Sequence, residues 1–181
     1  VGAELRALSS DMDSRVRSQT QRLSRKTRTM EILYEVSVSI NTARSLDELL
    51  DTFLDTLLAL FDAPAASIRL LTGNGYTELV AARGLSQETI DRDYLTDVGR
   101  CHCGWAATEG GVRFLHGTQH CARLLDAPYL EPDCLEFIIV PIQYQDRILG
   151  VYNLYLNKPS SEIGDDVRDL LTSIGRHLGL A

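Results

Sequence analysis

Cysteines and histidines, the residues best suited to metal or redox chemistry, crowd into one segment of this chain. All four cysteines and three of the four histidines lie between positions 101 and 134 of the 181 residues. Four thiolates favour an iron–sulfur cluster or zinc, and imidazole nitrogens are further zinc ligands. The candidate site therefore consists of Cys101, Cys103, Cys121 and Cys134 as ligands, with His102, His116, His120 and Trp105 as additional ligands or pocket residues.

The chemistry of these thiols stays open between four interpretations. A Cys-x-Cys pair places Cys101 and Cys103 in one segment, and Cys121 and Cys134 would complete a four-thiolate site for an iron–sulfur cluster or, alternatively, zinc. The spacing matches no widely used ferredoxin or zinc-finger pattern. The thiols could instead form a reversible dithiol switch, or they could bind nothing and pack as small apolar groups.

Residue patterns typical of enzymes are absent from the sequence. It contains no Ser-His-Asp array, phosphate-binding loop, His-Glu-x-x-His motif or paired catalytic carboxylates, and no kinase motifs. We therefore predict that this chain is not an enzyme.

Composition and charge limit the classes of partner. A hydrophobic fraction of 44% is sufficient for a buried core, and no apolar run approaches the roughly 20 residues of a membrane span. The chain begins with Val-Gly-Ala rather than Met, so we expect a piece of a longer protein. The net charge of −7 is the sum of +4 on residues 1–30 and −11 on residues 31–181, and the acidic larger part argues against binding to nucleic acid.

The first part of the chain is basic and favours one long helix. Residues 1–30 carry a net charge of +4, and there is no Gly or Pro from Leu5 to Asn41. The basic run over 15–28 predicts a solvated helix face, or a segment close to the cytoplasmic surface of a membrane. Apolar residues recur every seven positions but are interrupted by polar ones, which predicts a weak dimeric coiled coil with the seam Leu5, Ser9, Met12, Val16, Gln19, Leu23, Lys26, Met30 and Leu33.

The remaining residues predict an α+β domain. A capping box at Ser45–Glu48 begins an apolar helix that stops before Pro64. Two hairpins follow, one around residues 73–75 and one around residues 145–147, separated by a short helix and by the cysteine segment, which we expect to be irregular. An amphipathic helix ends the chain. Strands grouped between helices favour an antiparallel sheet with helices packed on one face.

This order of elements resembles the GAF domain. The motifs that match are the capped Leu-Asp-Glu-Leu-Leu helix, Ala82-Arg83-Gly84, the segment 104–110, Val140-Pro141-Ile142 and Ile148-Leu149-Gly150-Val151. The resemblance implies a linker helix over residues 1–43 and a GAF-type sensory domain over residues 44–181, which ends in an outgoing signalling helix.

A narrower resemblance is to the cytoplasmic cysteine-bearing module of nitrate/nitrite sensor histidine kinases of the NarX type. It rests on Cys101-His102-Cys103-Gly104-Trp105, on His116, His120-Cys121 and Cys134, and on Val151-Tyr152-Asn153. The resemblance implies a cytoplasmic sensory and relay domain of a two-component kinase in the inner membrane, whose transmembrane and kinase modules lie elsewhere in the same chain.

Three functions follow from these expectations. The first is sensing of redox state or a small ligand at the cysteine site, passed on through a homodimer that pairs the N-terminal and C-terminal helices. The second is a structural coupler that binds no ligand and joins a membrane input to a kinase. The third is a receptor for a small molecule in a pocket behind Trp105.

Overall fold

A computed structural model describes residues 2–117, 134–164 and 166–181, and in these ranges the chain forms five helices and six strands. The helices are α1 (Gly2–Thr42), α2 (Leu46–Phe61), α3 (Gln87–Arg92), α4 (His102–Glu109) and α5 (Val167–Leu180). The strands are β1 (Ala65–Leu71), β2 (Tyr76–Arg83), β3 (Leu95–Asp97), β4 (Arg113–His116), β5 (Glu136–Tyr144) and β6 (Arg147–Leu156). Short 3₁₀ helices cover Val98–Arg100 and Ser160–Glu162.

The strands form one antiparallel sheet in the order β3-β2-β1-β6-β5-β4. The predicted α+β class is confirmed, with both hairpins in place. The sheet contains two irregularities that periodicity does not predict, since the β1–β2 register shifts between Ile68 and Arg69 and the β5–β6 register shifts between Ile142 and Gln143. Such a bulge changes the strand residues that lie opposite each other beyond it.

The predicted capping box also forms. The Ser45 hydroxyl accepts a hydrogen bond from the Glu48 amide at 3.2 Å. The Glu48 carboxylate in turn accepts one from the amide of Arg44, the residue before the cap, at 2.8 Å. These two bonds satisfy one of the orphan amides at the start of α2 and fix the residue that precedes its cap.

The segment that was expected to be irregular contains α4, and this is a correction. Cys101 is the N-cap of that helix, because its Sγ accepts a hydrogen bond from the Gly104 amide at 3.1 Å. Gly110 ends the helix with φ of 79°, a conformation that favours glycine. The thiol thus takes the place that Ser or Asp usually fills at a helix start, which is why a search for standard caps misses it.

Strand alternation gives the sheet two chemically different faces. On the first, which we call the α5 face, α2 and α5 pack over an apolar layer. The Phe53 ring meets the Tyr152 ring edge-on at 5.6 Å between centroids, and the Tyr152 hydroxyl donates a hydrogen bond to the Leu171 carbonyl at 2.7 Å. Tyr152 is fully buried, so burial raises the pKa of its phenol well above the usual value.

Two glycines bring α5 into direct contact with the backbone of β5. A Cβ added at Gly175 would lie 2.2 Å from the Pro141 carbonyl oxygen, and one at Gly179 would lie 2.2 Å from that of Gln143. Because the two glycines are four residues apart, they share one side of α5. The distance between α5 and the sheet therefore depends on the absence of side chains at these positions.

The chain divides into two units, residues 1–34 and residues 35–181. The first unit contains the larger, N-terminal part of α1, and the second contains the rest of α1 and the whole sheet. Among the described residues, no helix is both long and apolar enough to cross a bilayer.

Candidate functional site

The second face of the sheet, which we call the α4 face, collects the described cysteines. Cys101 and Cys103 are buried in an apolar cluster, and Cys134 packs against it. The other members of the cluster come from α4, β5, β6 and the start of β1, and they are Ala65, Ala106, Ala107, Phe137, Ile139, Val151 and Tyr155. The predicted gathering of thiols is thus present for the three cysteines that the structure describes.

Each of these thiols has a polar contact as well as apolar neighbours. The Cys103 Sγ lies 3.7 Å from Asn153 Oδ1 on β6, and the Cys134 Sγ lies 3.2 Å from the Glu136 carbonyl oxygen. All three described cysteines are free thiols. The arrangement allows thiol chemistry next to the sheet without needing a disulfide for the fold.

The predicted histidine and tryptophan residues occupy other positions. The His102 and Trp105 rings stack edge-on at 4.8 Å, and Trp105 Nε1 donates a hydrogen bond to the Gly99 carbonyl at 3.3 Å. His116 ends β4 with an exposed side chain. His120 and Cys121 lie outside the described residues. Neither Trp105 nor the described histidines belong to the buried cluster around Cys103.

Sequence reasoning missed a polar group on the same face. Ser67 and Arg69 on β1, Thr77 on β2, Thr96 on β3 and Asn153 on β6 are all buried, with exposures between 0% and 8%. Asn153 Nδ2 donates a hydrogen bond to Ser67 Oγ at 3.1 Å, which connects Cys103 to β1 through Asn153. One signal was available in the sequence, namely polar residues at alternate positions in otherwise apolar strands.

Arg69 is the centre of this polar group. Its Nε donates to Thr77 Oγ1 at 3.0 Å, and its Nη2 contacts the Thr77 carbonyl, the Asp93 carbonyl at 2.6 Å and Thr96 Oγ1 at 2.8 Å. One guanidinium thereby ties β1 to β2, to β3 and to the end of α3. The register shift at Ile68/Arg69 places Arg69 opposite Leu79, on the same face as Thr77.

Burial has the largest effect on the pKa of the Cys101 thiol. It raises the pKa of the thiol above its ordinary value of 9.0, while the hydrogen bond from the Gly104 amide and the positive charge of Arg69 oppose this rise. The folded protein therefore favours the neutral thiol.

A pH dependence of stability follows. Because the thiol pKa is higher in the folded state, the stabilisation from Cys101 is complete below the pKa of the unfolded thiol and is lost as the pH rises through the folded value. We expect the stability advantage of the wild type over a Cys101→Ser variant to narrow between about pH 7 and about pH 10. Urea unfolding at both pH values measures this. An advantage that widens with pH would contradict the buried neutral thiol.

The donor set of a metal site is incomplete in the described part of the chain. Within residues 2–117, 134–164 and 166–181, no three Cys, His, Asp or Glu side chains are grouped so that they could hold a metal ion. The iron–sulfur or zinc prediction thus depends on Cys121 and His120, which lie outside these ranges. It stays a prediction, and assay of iron, zinc and acid-labile sulfide in protein purified without oxygen would test it.

The fold and site define a class of small α+β domains in which one sheet separates a polar and thiol-bearing face, packed by α4, from an apolar face covered by α2 and α5. The GAF domain model matches residues 43–181, and this chain belongs to the GAF domain family. The resemblance stated from its motifs is confirmed at the level of the family.

Known relatives are distant. A Haloferax volcanii protein named as a candidate transcriptional regulator is 23% identical over 177 residues, which are 98% of this chain and 30% of that protein. The GAF domain of an Acinetobacter phosphoenolpyruvate-protein phosphotransferase has a TM-score of 0.68 at 18% identity, covering 83% of this chain and 90% of that one. A domain named for a two-component sensor histidine kinase of Sinorhizobium meliloti has a TM-score of 0.59 at 22% identity, covering 76% and 90%.

Another similar structure corrects a prediction. Free methionine-R-sulfoxide reductase of Neisseria meningitidis, solved with its substrate, has a TM-score of 0.67 at 16% identity, covering 84% of this chain and 86% of that one. The prediction that this chain is not an enzyme is therefore wrong, because enzymes have this fold and the absence of the searched motifs does not exclude activity. At this identity the likeness concerns the fold, and no reaction is transferred.

Proposed function

We propose that this chain is the sensory and relay domain of a membrane-anchored two-component sensor histidine kinase and lies on the cytoplasmic side. It senses redox state or a small ligand at the α4 face and passes the signal to α5. Support comes from membership of the GAF family and from the fold shared with a domain named for a sensor histidine kinase. The resemblance to the nitrate/nitrite sensors of the NarX type supports the same class.

The proposal depends on one observation. Two consecutive residues of β6 make their side-chain contacts on opposite faces of the sheet. Asn153 contacts the Cys103 thiol and Ser67 on the α4 face. Tyr152, its neighbour, donates its hydroxyl hydrogen bond to Leu171 in α5 and packs against Phe53. We expect a change at the thiols that displaces Asn153 to shift β6, and the adjoining residue Tyr152 then carries that shift to α5.

Hydrogen exchange of α5 amides tests the relay. We expect an Asn153→Ala variant to lower the protection of the amides of residues 171–174 by about fivefold, since a lost buried hydrogen bond is worth about 1 kcal/mol. The amides of α2 should change less. In a Tyr152→Phe background the effect of Asn153→Ala on α5 should be at least halved, because the hydroxyl contact is already removed.

A matched control keeps the test specific. Thr108→Ala changes an exposed position of α4, so it should leave α5 protection unaltered. If Asn153→Ala affected α2 and α5 equally, the result would be general destabilisation and the relay would be contradicted. If it affected neither, the chain would fit a structural coupler that binds no ligand.

The proposed relay also needs paired helices, and α1 offers a seam for a second copy of this chain. Five of its apolar seam residues are between 57% and 71% exposed, and they are Leu5, Met12, Val16, Leu23 and Met30. They recur at heptad spacing on a helix of 41 residues. Polar Gln19 and Lys26 in the same seam would keep the pairing weak enough to shift.

Sedimentation of charge variants tests the pairing. We expect Leu23→Lys, at the middle of the seam, to raise the dimer dissociation constant by about tenfold or more, because it places a charge between the helices. Ser24→Lys adds the same charge one position away, outside the seam, and should have little effect. A wild type that stays monomeric at high concentration, or equal effects of both variants, would contradict this dimer.

A further inference from the structure

A buried cation on the α4 face has no described anionic partner. Arg69 is 6% exposed, and its hydrogen bonds in the described part of the chain go to two threonine hydroxyls and two backbone carbonyls, which are neutral. No carboxylate among the described residues lies within 4.0 Å of its guanidinium. Burying a charge among neutral groups is costly, so a site of this kind favours an anion.

The nearby acidic residues are engaged elsewhere. The Asp93 carboxylate pairs with Arg92 at 2.9 Å, and the Asp97 carboxylate accepts the Gly99 amide at 2.7 Å. Their positions near Arg69 therefore do not supply a direct ion pair. This contrasts with Arg83 on the α5 face, which pairs with Asp51 at 3.0 Å and with Asp55 at 2.9 Å.

Unused hydrogen-bond donors on the same face also favour an anion as the ligand. Among the described residues, none accepts a hydrogen bond from Arg69 Nη1, which carries two N–H groups. Ser67, two residues earlier on β1, is 1% exposed and accepts from Asn153 through its Oγ. No described residue accepts from the Ser67 hydroxyl. Residues two apart on a strand share a face, so Ser67 and Arg69 both lie on the α4 face of β1.

We propose that Arg69 and Ser67 form a binding site for a small anion with a carboxylate or planar oxyanion head on the α4 face of this domain. Such heads match the planar guanidinium and are stronger acceptors than neutral oxygens. The start of α4, capped by Cys101, lies close enough for the Arg69 charge to act on that thiol, and the positive end of a helix also favours an anion. The inference rests on the proposed sensory function and names its ligand class.

The site explains how a ligand would reach the relay. Within the described residues, the Asn153 side chain donates a hydrogen bond to Ser67 and contacts the Cys103 thiol on the α4 face. An anion that draws the Ser67 hydroxyl toward itself changes the acceptor offered to Asn153, which neighbours Tyr152 on β6. Ligand binding thereby acts on the same strand as the thiols.

Titration of the intact chain with simple anions tests the site. The probes are sodium formate and sodium acetate, with inorganic phosphate as a tetrahedral comparison, and each is compared with sodium chloride at equal ionic strength and pH. We expect at least one probe to raise the unfolding midpoint saturably and to shift the Arg69 side-chain nitrogen signals in NMR spectra. Arg69→Gln should abolish this response, and Arg69→Lys should weaken the apparent affinity by about tenfold, because lysine keeps the charge but loses the planar fork.

Two further variants complete the design. Ser67→Ala should weaken binding while leaving the charge in place, and it decides the question if the Arg69 variants fail to fold. Arg147→Gln removes an exposed arginine at the β5–β6 turn and should bind as the wild type does. The proposal is overturned if none of the probes exceeds chloride, or if Arg69→Lys and Ser67→Ala both bind with wild-type affinity.

The outcome separates this inference from the proposed function. Binding at Arg69 with no change in α5 exchange would support the anion site and contradict the relay. Failure of every anion, with α5 still responding to Asn153→Ala, would contradict the anion site and leave the relay supported.

Discussion

Replacing Gly175 with alanine should destabilise the domain by about 2 kcal/mol or more. Two effects of opposite sign compete at this position. Alanine is favoured over glycine inside a helix by about 1 kcal/mol. Against this gain, the new Cβ would lie 2.2 Å from the Pro141 carbonyl oxygen and 3.5 Å from the Tyr152 ring. The first contact involves backbone on both sides, so α5 must move away from β5.

Urea unfolding together with hydrogen exchange would measure the effect. Exchange should increase in α5, because a displaced helix loses the Tyr152–Leu171 hydrogen bond. Arg176→Ala is a matched control, since it changes the next residue, which is exposed, and should alter stability by no more than about 0.5 kcal/mol. A Gly175→Ala variant more stable than the wild type would mean that helix propensity dominates and that the close approach is absent.

The corresponding substitution on the α4 face, Gly104→Ala, should be similarly destabilising, by about 2 kcal/mol. A Cβ at this position would lie 2.2 Å from the Val98 carbonyl oxygen and 2.3 Å from its Cα. Relief requires α4 to move away from the 3₁₀ helix that precedes it. The Gly104 amide also donates to Cys101 Sγ, so the same movement uncaps α4 and releases the thiol.

Thiol labelling gives this prediction a second readout. We expect iodoacetamide to modify Cys101 faster in Gly104→Ala than in the wild type, where the side chain is 6% exposed. Thr108→Ala is the control, since it removes the hydroxyl that bonds to the Gly104 carbonyl at 3.0 Å and adds no atom near Val98, so it should change stability by no more than about 0.5 kcal/mol and leave labelling unaltered. Slower labelling in Gly104→Ala would contradict the role of Gly104 in positioning the thiol.

Gly175 and Gly104 show how much of this fold the local sequence could reveal. Their presence in helices is visible in the sequence, but glycine there normally reads as a weak point in the helix. That each one allows backbone contact with a particular residue, Pro141 or Val98, is decided by packing between elements far apart in the chain. No periodicity within α4 or α5 encodes that distance.

The candidate site divides in the same way. The clustering of cysteines in the sequence corresponds to one face of the sheet, where Cys101 and Cys103 are buried and Cys134 packs against them, while their role as metal ligands stays a prediction. Arg69 was not selected, since an isolated arginine in an apolar strand has no motif to mark it. Trp105 and His102 were selected as neighbours of the cysteines in sequence, yet helical geometry pairs them with each other instead.

Spacing between residues close in the chain is enough to predict the long first helix, the two hairpins, the capping box at Ser45 and the GAF family, whereas α4 was missed because its cap is a thiol. Tertiary structure alone decided that Asn153 serves the thiol face while Tyr152 serves α5, and that Arg69 is buried among neutral acceptors. The physical reason is that burial and hydrogen-bond partners depend on strand register, and one bulge at Ile68/Arg69 sets which side chains of β1 and β2 face each other.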